Sequence, residues 1–209
     1  MQLDQGEKGF SFQKEGPLDM RMNQKEPLTA QEIVNRFSEK QLQEIIRDLG
    51  GEPRWRRAAK SIVEARRRSK ITTTKQLADL MLASLGGKTR GRLHPATLVF
   101  QGIRIYVNRE LEVLKQGLAK ALESLAPGGR IGVISFHSLE DRIVKEVFRA
   151  AAAPLKKPFS KEPLHSPLFR LLTKKPLVPS HEECRKNPRA RSAKMRFIER
   201  IPSRVDTGG

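Results

Sequence analysis

The chain has 209 residues, with 41 Lys plus Arg against 23 Asp plus Glu, a formal charge of +18. No stretch approaches the ~20 apolar residues of a membrane-spanning helix. The 37% hydrophobic content is too high for a wholly disordered chain. A single cysteine, Cys184, excludes a disulfide framework within the chain. With only four histidines it also argues against a structural zinc site. Basic residues run from Lys8 to Arg204, so the charge does not come from one tail. A field of that sign serves a polyanion, and nucleic acid is favoured over a merely solubilising surface.

Residues 1–22 read as loop with a short extended piece, because Gly6, Gly9, Gly16 and Pro17 interrupt any helical period. They contain no apolar segment of a secretory signal, so a cytoplasmic setting is expected, and one free cysteine fits it. From Thr29 the signals are helical. Thr29 with Glu32 and Ser38 with Gln41 each fit a capping box ahead of an apolar run, and Gly50-Gly51 stops the second helix. A third helix is expected from Pro53, carrying Trp55, Ala58, Ala59, Ile62 and Val63. A fourth, capped by Thr73 or Thr74, places Leu77, Leu80, Met81 and Leu85 on one face and ends at Gly86-Gly87. Residues 95–125 predict one or two long helices, with Phe100, Ile103, Val107, Leu111, Leu114 and Leu118 spaced by three and four.

The character changes at Leu125-Ala-Pro-Gly-Gly129, a sharp turn. Residues 130–136 are apolar and β-branched, as in a buried parallel strand. Ser138 is expected to cap a helix over 139–152, with 154–167 as a loop. Strands are expected at 169–172 and 194–201, joined by the Pro- and charge-rich segment 176–191. This is an α/β ending on an all-helical start.

Gly86-Gly-Lys-Thr89 lacks the glycine of a phosphate loop, since Leu82 occupies that position, and it reads as a helix end. No Gly-x-Gly-x-x-Gly occurs. Residues 54–70 carry Arg54, Arg56, Arg57, Lys60, Arg66, Arg67, Arg68 and Lys70 against one acid, Glu64. Eight cations on one helix repel each other without an anionic partner, so phosphate binding is expected, with only Trp55 to add stacking. Ser135-Phe-His-Ser-Leu-Glu-Asp-Arg142 is the densest cluster of reactive side chains and follows a strand, where α/β sheets bind ligands. Its spacing makes neither a nucleophile elbow nor a local triad. Asn187-Pro-Arg-Ala-Arg-Ser192 is a turn with two arginines, open equally to phosphate contact and to solvation. His181 and Cys184 are too few for a metal site.

Taken together, Gly9-Phe-Ser-Phe12, Gly16-Pro-Leu-Asp-Met-Arg-Met22, Ile71-Thr-Thr-Thr-Lys-Gln-Leu77, His94-Pro-Ala-Thr97, Phe100 to Leu111, Ser135 to Arg142 and Asn187 to Ala193 resemble the RsmH (MraW) family. These are bacterial enzymes that methylate a cytosine N4 in the decoding region of 16S rRNA. The resemblance implies an α/β fold, the second half of a Rossmann-like class I methyltransferase sheet with an inserted all-helical domain. It implies four parts: 1–12 as the loop after a fourth strand, 13–98 as a helical, RNA-recognising insertion, 99–201 as the second half of the methyltransferase domain, and 202–209 as a disordered tail. The Gly-rich loop and ribose-binding acid for S-adenosylmethionine belong to a first half that this sequence lacks, so it resembles a fragment or the product of an internal start. Gln2 is the one position carried over to the methyl donor. Ser135, His137 and Asp141 are the candidate catalytic residues. Arg21, Arg54, Arg57, Arg67, Arg104, Arg142, Arg189 and Arg191 are the candidate RNA contacts. The expected partner is 16S rRNA in the small subunit, with no metal and no membrane. Two other readings follow from the lacking donor loop: a non-catalytic basic RNA-binding protein, and a remnant whose sheet exposes an edge and a bare apolar face.

Overall fold

Side-chain caps start three helices of the first half. Thr29 Oγ1 accepts the N–H of Glu32 while the Glu32 carboxylate accepts that of Thr29, opening α1 (Ala30–Arg36). The same reciprocal box joins Ser38 and Gln41 at α2 (Glu39–Glu44), and Thr73 and Gln76 at α4 (Thr74–Leu85). Gly86 ends α4 at φ 76°, where a Cβ would be strained. Between them α3 spans Trp55–Arg68; it begins two residues beyond Pro53, with no side-chain cap from Arg54, the residue before it. In the computed structural model, residues 8–86, 94–156, 163–165 and 167–202 are described. The chain divides into two compact units between Glu110 and Leu111.

In the first unit, α5 (Thr97–Asn108) packs on the α1–α4 cluster, so the unit runs beyond the 13–98 span expected for the helical part. Its core joins Ile33 and Val34 of α1, Ala58, Ala59 and Ile62 of α3, Leu77 and Met81 of α4, and Val99 and Ile103 of α5. Each fully buried branched aliphatic contributes about 1.5–3 kcal/mol. The second expected helix does not stay α-helical: Ile45–Leu49 widens to a π-helical turn ending at Gly50. Here α5 crosses at backbone contact. A Cβ on Gly102 would lie 2.8 Å from the Ile45 carbonyl oxygen and 2.9 Å from the Gly50 nitrogen. Gly102→Ala is therefore expected to destabilise the unit by roughly 1–3 kcal/mol through overpacking. An unchanged thermal midpoint would show that the crossing can open freely.

The loop before α1 is tied down from two sides. Leu18 N–H donates to the Thr72 carbonyl and Thr74 N–H to that of Gly16. The Asn108 amide donates to the Met20 carbonyl and accepts the Met22 N–H. It brackets Met20, a buried residue at φ 63°.

The predicted 95–125 run is two helices, broken at Arg109 in left-handed conformation (φ 49°). The second of them, α6 (Glu110–Glu123), belongs to the second unit from Leu111 on. That unit is a mixed helix and strand structure around a three-stranded sheet. Strand β1 (Arg130–Ser135) is followed by α7 (Ser138–Ala151), β2 (Leu155–Lys156), β3 (Pro163–His165), β4 (Phe169–Leu171), α8 (His181–Lys186), a 3-10 turn at Pro188–Ser192 and β5 (Lys194–Arg200). The sheet order is β1-β5-β4, with β5 antiparallel to both neighbours. The expected parallel strand at 130–136 is thus corrected among the described residues. It pairs antiparallel with β5, Arg130 opposite Glu199 and Ile134 opposite Met195, and its burial alternates. Ile131 and Val133 face a core of Leu118, Leu122, Val144, Phe148 and Ile198. Ile134 and Phe136, each 54% exposed, do not.

Three further expectations are revised. His137, not Ser138, caps α7, because the glutamate of the box stands three residues after His137. The expected loop at 154–167 contains the β2–β3 pair. The 176–191 segment carries α8, capped by Ser180, and the 3-10 turn, capped by Asn187. Gln2, Gly87-Lys-Thr89 and all but the first residue of the 202–209 tail lie outside the described residues. No helix among the described residues is long and apolar enough to cross a membrane.

Candidate nucleic-acid interface

The buried stripe of α3 is Ala58, Ala59 and Ile62, and Lys60 is 68% exposed on the opposite side. Arg56, Arg57, Lys60, Arg67 and Arg68 all project from the solvent side. From Arg56 to Arg68 the helix rises about 18 Å, so the cations form a stripe rather than a point. Only Glu64, reaching Lys60 at 3.8 Å, offsets them on this helix. Arg66 instead turns inward and donates to the Val34 carbonyl at 2.8 Å. Burial, and then the charge of Arg67, push its pKa down.

Trp55 opens the helix. The Arg56 guanidinium lies 3.9 Å from its ring centroid and that of Arg47 lies 5.2 Å away. Arg47 is also paired in bidentate fashion with Asp48, at 2.6 and 2.8 Å.

The eight candidate arginines separate by what they touch. Arg21 makes a fork with Asp19 and donates to the carbonyls of Gln24 and Glu26. This hydrogen-bonded pairing holds the Asp19 carboxyl below its ordinary range. Arg54 pairs with the buried Glu52 and donates to the Leu85 carbonyl at the end of α4. Arg104 makes a fork with Glu110 at 2.7 and 2.9 Å. These three hold the fold, and a guanidinium already bound to a carboxylate is a poor phosphate contact. Arg57 and Arg67 in the first unit, and Arg142, Arg189 and Arg191 in the second, are exposed. Arg47, beside Trp55, was not singled out by sequence, because it lies on a different helical segment from α3 and no linear pattern links them.

In the second unit Ser135, His137 and Asp141 come from the end of β1 and the first turn of α7, but they do not form one reactive array. The Ser135 hydroxyl is buried and donates to the Lys194 carbonyl at 3.3 Å. His137 Nδ1 accepts the Glu140 N–H at 3.3 Å, and Nε2 lies 3.3 Å from the Glu140 carboxylate. The Glu140 carboxylate in turn accepts the N–H groups of Phe136 and His137. Both ring nitrogens therefore face Glu140. Asp141 is buried against β5. Its two oxygens accept from Arg196 Nε and Nη2 at 2.7 and 3.1 Å, with Lys194 Nζ at 3.5 Å. The Arg196 hydrogen bonds hold its carboxyl below the usual 3.8. A carboxylate so committed stays ionised and accepts no further proton at neutral pH. Sequence reasoning did not mark Arg196, because it lies 55 residues away.

S-adenosylmethionine, the donor implied by the resemblance, does not fit what these residues offer. The open groove between α6 and α7 holds about 510 Å³ and is lined by Leu111, Ile143, Val147 and Ala150 with Glu112, Glu146 and Lys115. It has no glycine turn to admit a nucleoside backbone, and its carboxylates stand beside apolar walls. Gln2 is not among the described residues.

Residues 1–201 match the family model described as the MraW methylase family. The chain is 50% identical over 207 residues to ribosomal RNA small subunit methyltransferase H of Protochlamydia amoebophila, covering 96% of this chain and 65% of that protein. It is 51% identical over 203 residues to the protein of that name from Thermomicrobium roseum, covering 96% and 62%. With the one from Persephonella marina it shares 48% over 196 residues, covering 93% and 63%. The chain thus spans less than two thirds of the length of these relatives, and nearly all of its own length matches them. It belongs to the MraW methylase family.

Proposed function

We propose that this chain is the RNA-engaging portion of an S-adenosylmethionine-dependent methyltransferase that methylates the N4 amine of a cytosine in the decoding region of 16S rRNA. The observation that carries the reading is the identity of about half the residues over 93–96% of the chain with proteins named for ribosomal RNA methylation. The exposed basic stripe of α3 supports it independently, since it needs a polyanion.

The chemistry sets the demands. The N4 lone pair of cytosine is delocalised into the ring, so the amine must be held in line with an electrophilic methyl and its hydrogens accepted. The base must first leave its stack to reach any pocket. Within this chain, exposed arginines on α3 hold phosphates, and the segment from Ser135 to His137 joins the end of β1 to the first turn of α7. His137 acts there by orientation: Glu140 fixes the ring, and the ring fixes the first turn of α7. The sulfonium donor supplies the methyl, and its site is expected in the part of the relatives that this chain does not match.

Two measurements test the proposal. Calorimetry of the 209-residue chain is expected to find negligible S-adenosylmethionine binding together with RNA binding that weakens steeply with salt. Saturable micromolar donor binding would contradict the first half of that statement. The second measurement is methyl transfer to small-subunit particles by the chain fused to the unmatched third of the Protochlamydia amoebophila relative, with the modified base located by mass spectrometry. Label at N4 of one cytosine is expected. RNA binding with no transfer would favour the non-catalytic reading. In the same fusion His137→Asn, which keeps a good helix cap, is expected to retain fold and activity better than His137→Ala. Equal loss in both would assign the imidazole a chemical role instead.

A further inference from the structure

We infer that Arg56 stacked on Trp55 is a platform for an unpaired RNA base, so that the α3 surface selects single-stranded RNA over duplex; this rests on the rRNA reading above. Trp55 packs its inner side against the first unit's core. Arg56 lies at stacking distance, 3.9 Å from the ring centroid, and is itself exposed. The second cation near the ring, Arg47, has its charge met by Asp48. Among the described residues no carboxylate pairs with Arg56. Its guanidinium is therefore a flat, exposed cation resting over an aromatic ring. Bases splayed out of a helix stack on arginine planes as they do on aromatic rings. A duplex offers no such free face. Arg57, Lys60, Arg67 and Arg68 continue from this platform along α3, on the path a strand's phosphates would follow.

The guanidinium plane is what separates this inference from simple charge attraction. Arg56→Lys keeps the charge and loses the plane. Binding is read by anisotropy of a labelled short oligoadenylate, of the same strand annealed to its complement, and by competition with inorganic polyphosphate. Trp55, the only tryptophan of the chain, gives a second signal by its fluorescence. The single strand is expected to bind more tightly than the duplex and to change Trp55 emission saturably. Arg56→Lys is expected to weaken single-strand binding about tenfold with an unchanged salt slope, and to leave polyphosphate binding unaltered. Single-strand affinity unchanged in Arg56→Lys, or equal affinity for strand and duplex, would overturn the platform while leaving the rRNA reading in place. Absence of any RNA binding would overturn both.

Discussion

Asp141→Ala is expected to destabilise the second unit by on the order of 3 kcal/mol, read as a lower denaturation midpoint with an unchanged denaturant slope. The substitution removes one member of a buried, bidentate ion pair and leaves the Arg196 guanidinium, only 9% exposed, without a carboxylate. Lys194, 3.5 Å from Asp141, also loses its carboxylate, but its side chain is partly exposed to water. Asp141→Asn keeps the shape and one acceptor, so it is expected to cost less than alanine but still to destabilise. The double variant Asp141→Asn, Arg196→Met is expected to recover part of the loss, because it leaves no lone buried charge. The pH dependence follows from the same pair. The folded carboxyl titrates below its unfolded value of 3.8, so its stabilisation is fully present above that pH. It is lost as pH falls through the lower folded value. The Asp141→Asn protein should therefore lose less stability than its parent as pH falls below about 4. Equal acid sensitivity of the two would mean that other carboxylates, such as Asp19 beside Arg21, govern acid unfolding.

The second large effect is on binding. Arg57→Gln, Arg67→Gln and Arg68→Gln together are expected to lower RNA affinity about a hundredfold at ~0.1 M salt, since each single-strand phosphate contact contributes a slope near −0.7. The slope of log affinity against log salt should flatten by about 2. All three side chains are exposed, and stability should hold within roughly 0.5 kcal/mol. A matched triple change at Arg21, Arg54 and Arg104 should do the reverse. It should destabilise the first unit, because those guanidinium groups hold Asp19, Glu52 and Glu110. Equal affinity losses from both sets would show that charge count alone, and not placement, governs binding.

The sequence and the structure agree where the information is local. Thr29 and Ser38 announced their helices because a capping box closes over three residues, and of Thr73 and Thr74, both open as caps of α4, the structure takes Thr73. The apolar faces of α1, α3 and α4 followed from periodicity. The sequence favours Ser138 over His137 as the cap of α7 because serine is the commoner cap, although Glu140, three residues after His137, points to His137. Strand direction could not be read from residues 130–136: what an apolar run pairs with is decided by its neighbour, here residues 194–200. The arginines divide in the same way. Asp19 and Glu52 stand two residues before Arg21 and Arg54, a visible sign that these cations are internally paired. Counting charge hides it. The pairing of Asp141 with Arg196, and the meeting of Arg47 with Trp55, depend on chain segments brought together only by folding.

The position of β5 between β1 and β4 has a consequence for biosynthesis. In the first unit α1, α2 and α4 start from local capping boxes, and this unit can acquire structure soon after its residues leave the ribosome. The sheet of the second unit behaves otherwise. Arg130 meets Glu199 across 69 residues, and among the described strands β1 and β4 are joined only through β5. Until residues 194–200 emerge, Ile131 and Val133 lack their central partner and β4 has none. That interval exposes an unpaired edge to other chains, the condition under which nascent sheets aggregate. Conditions that slow translation over the last of these residues should therefore lower soluble yield far more than equal slowing within α1–α4.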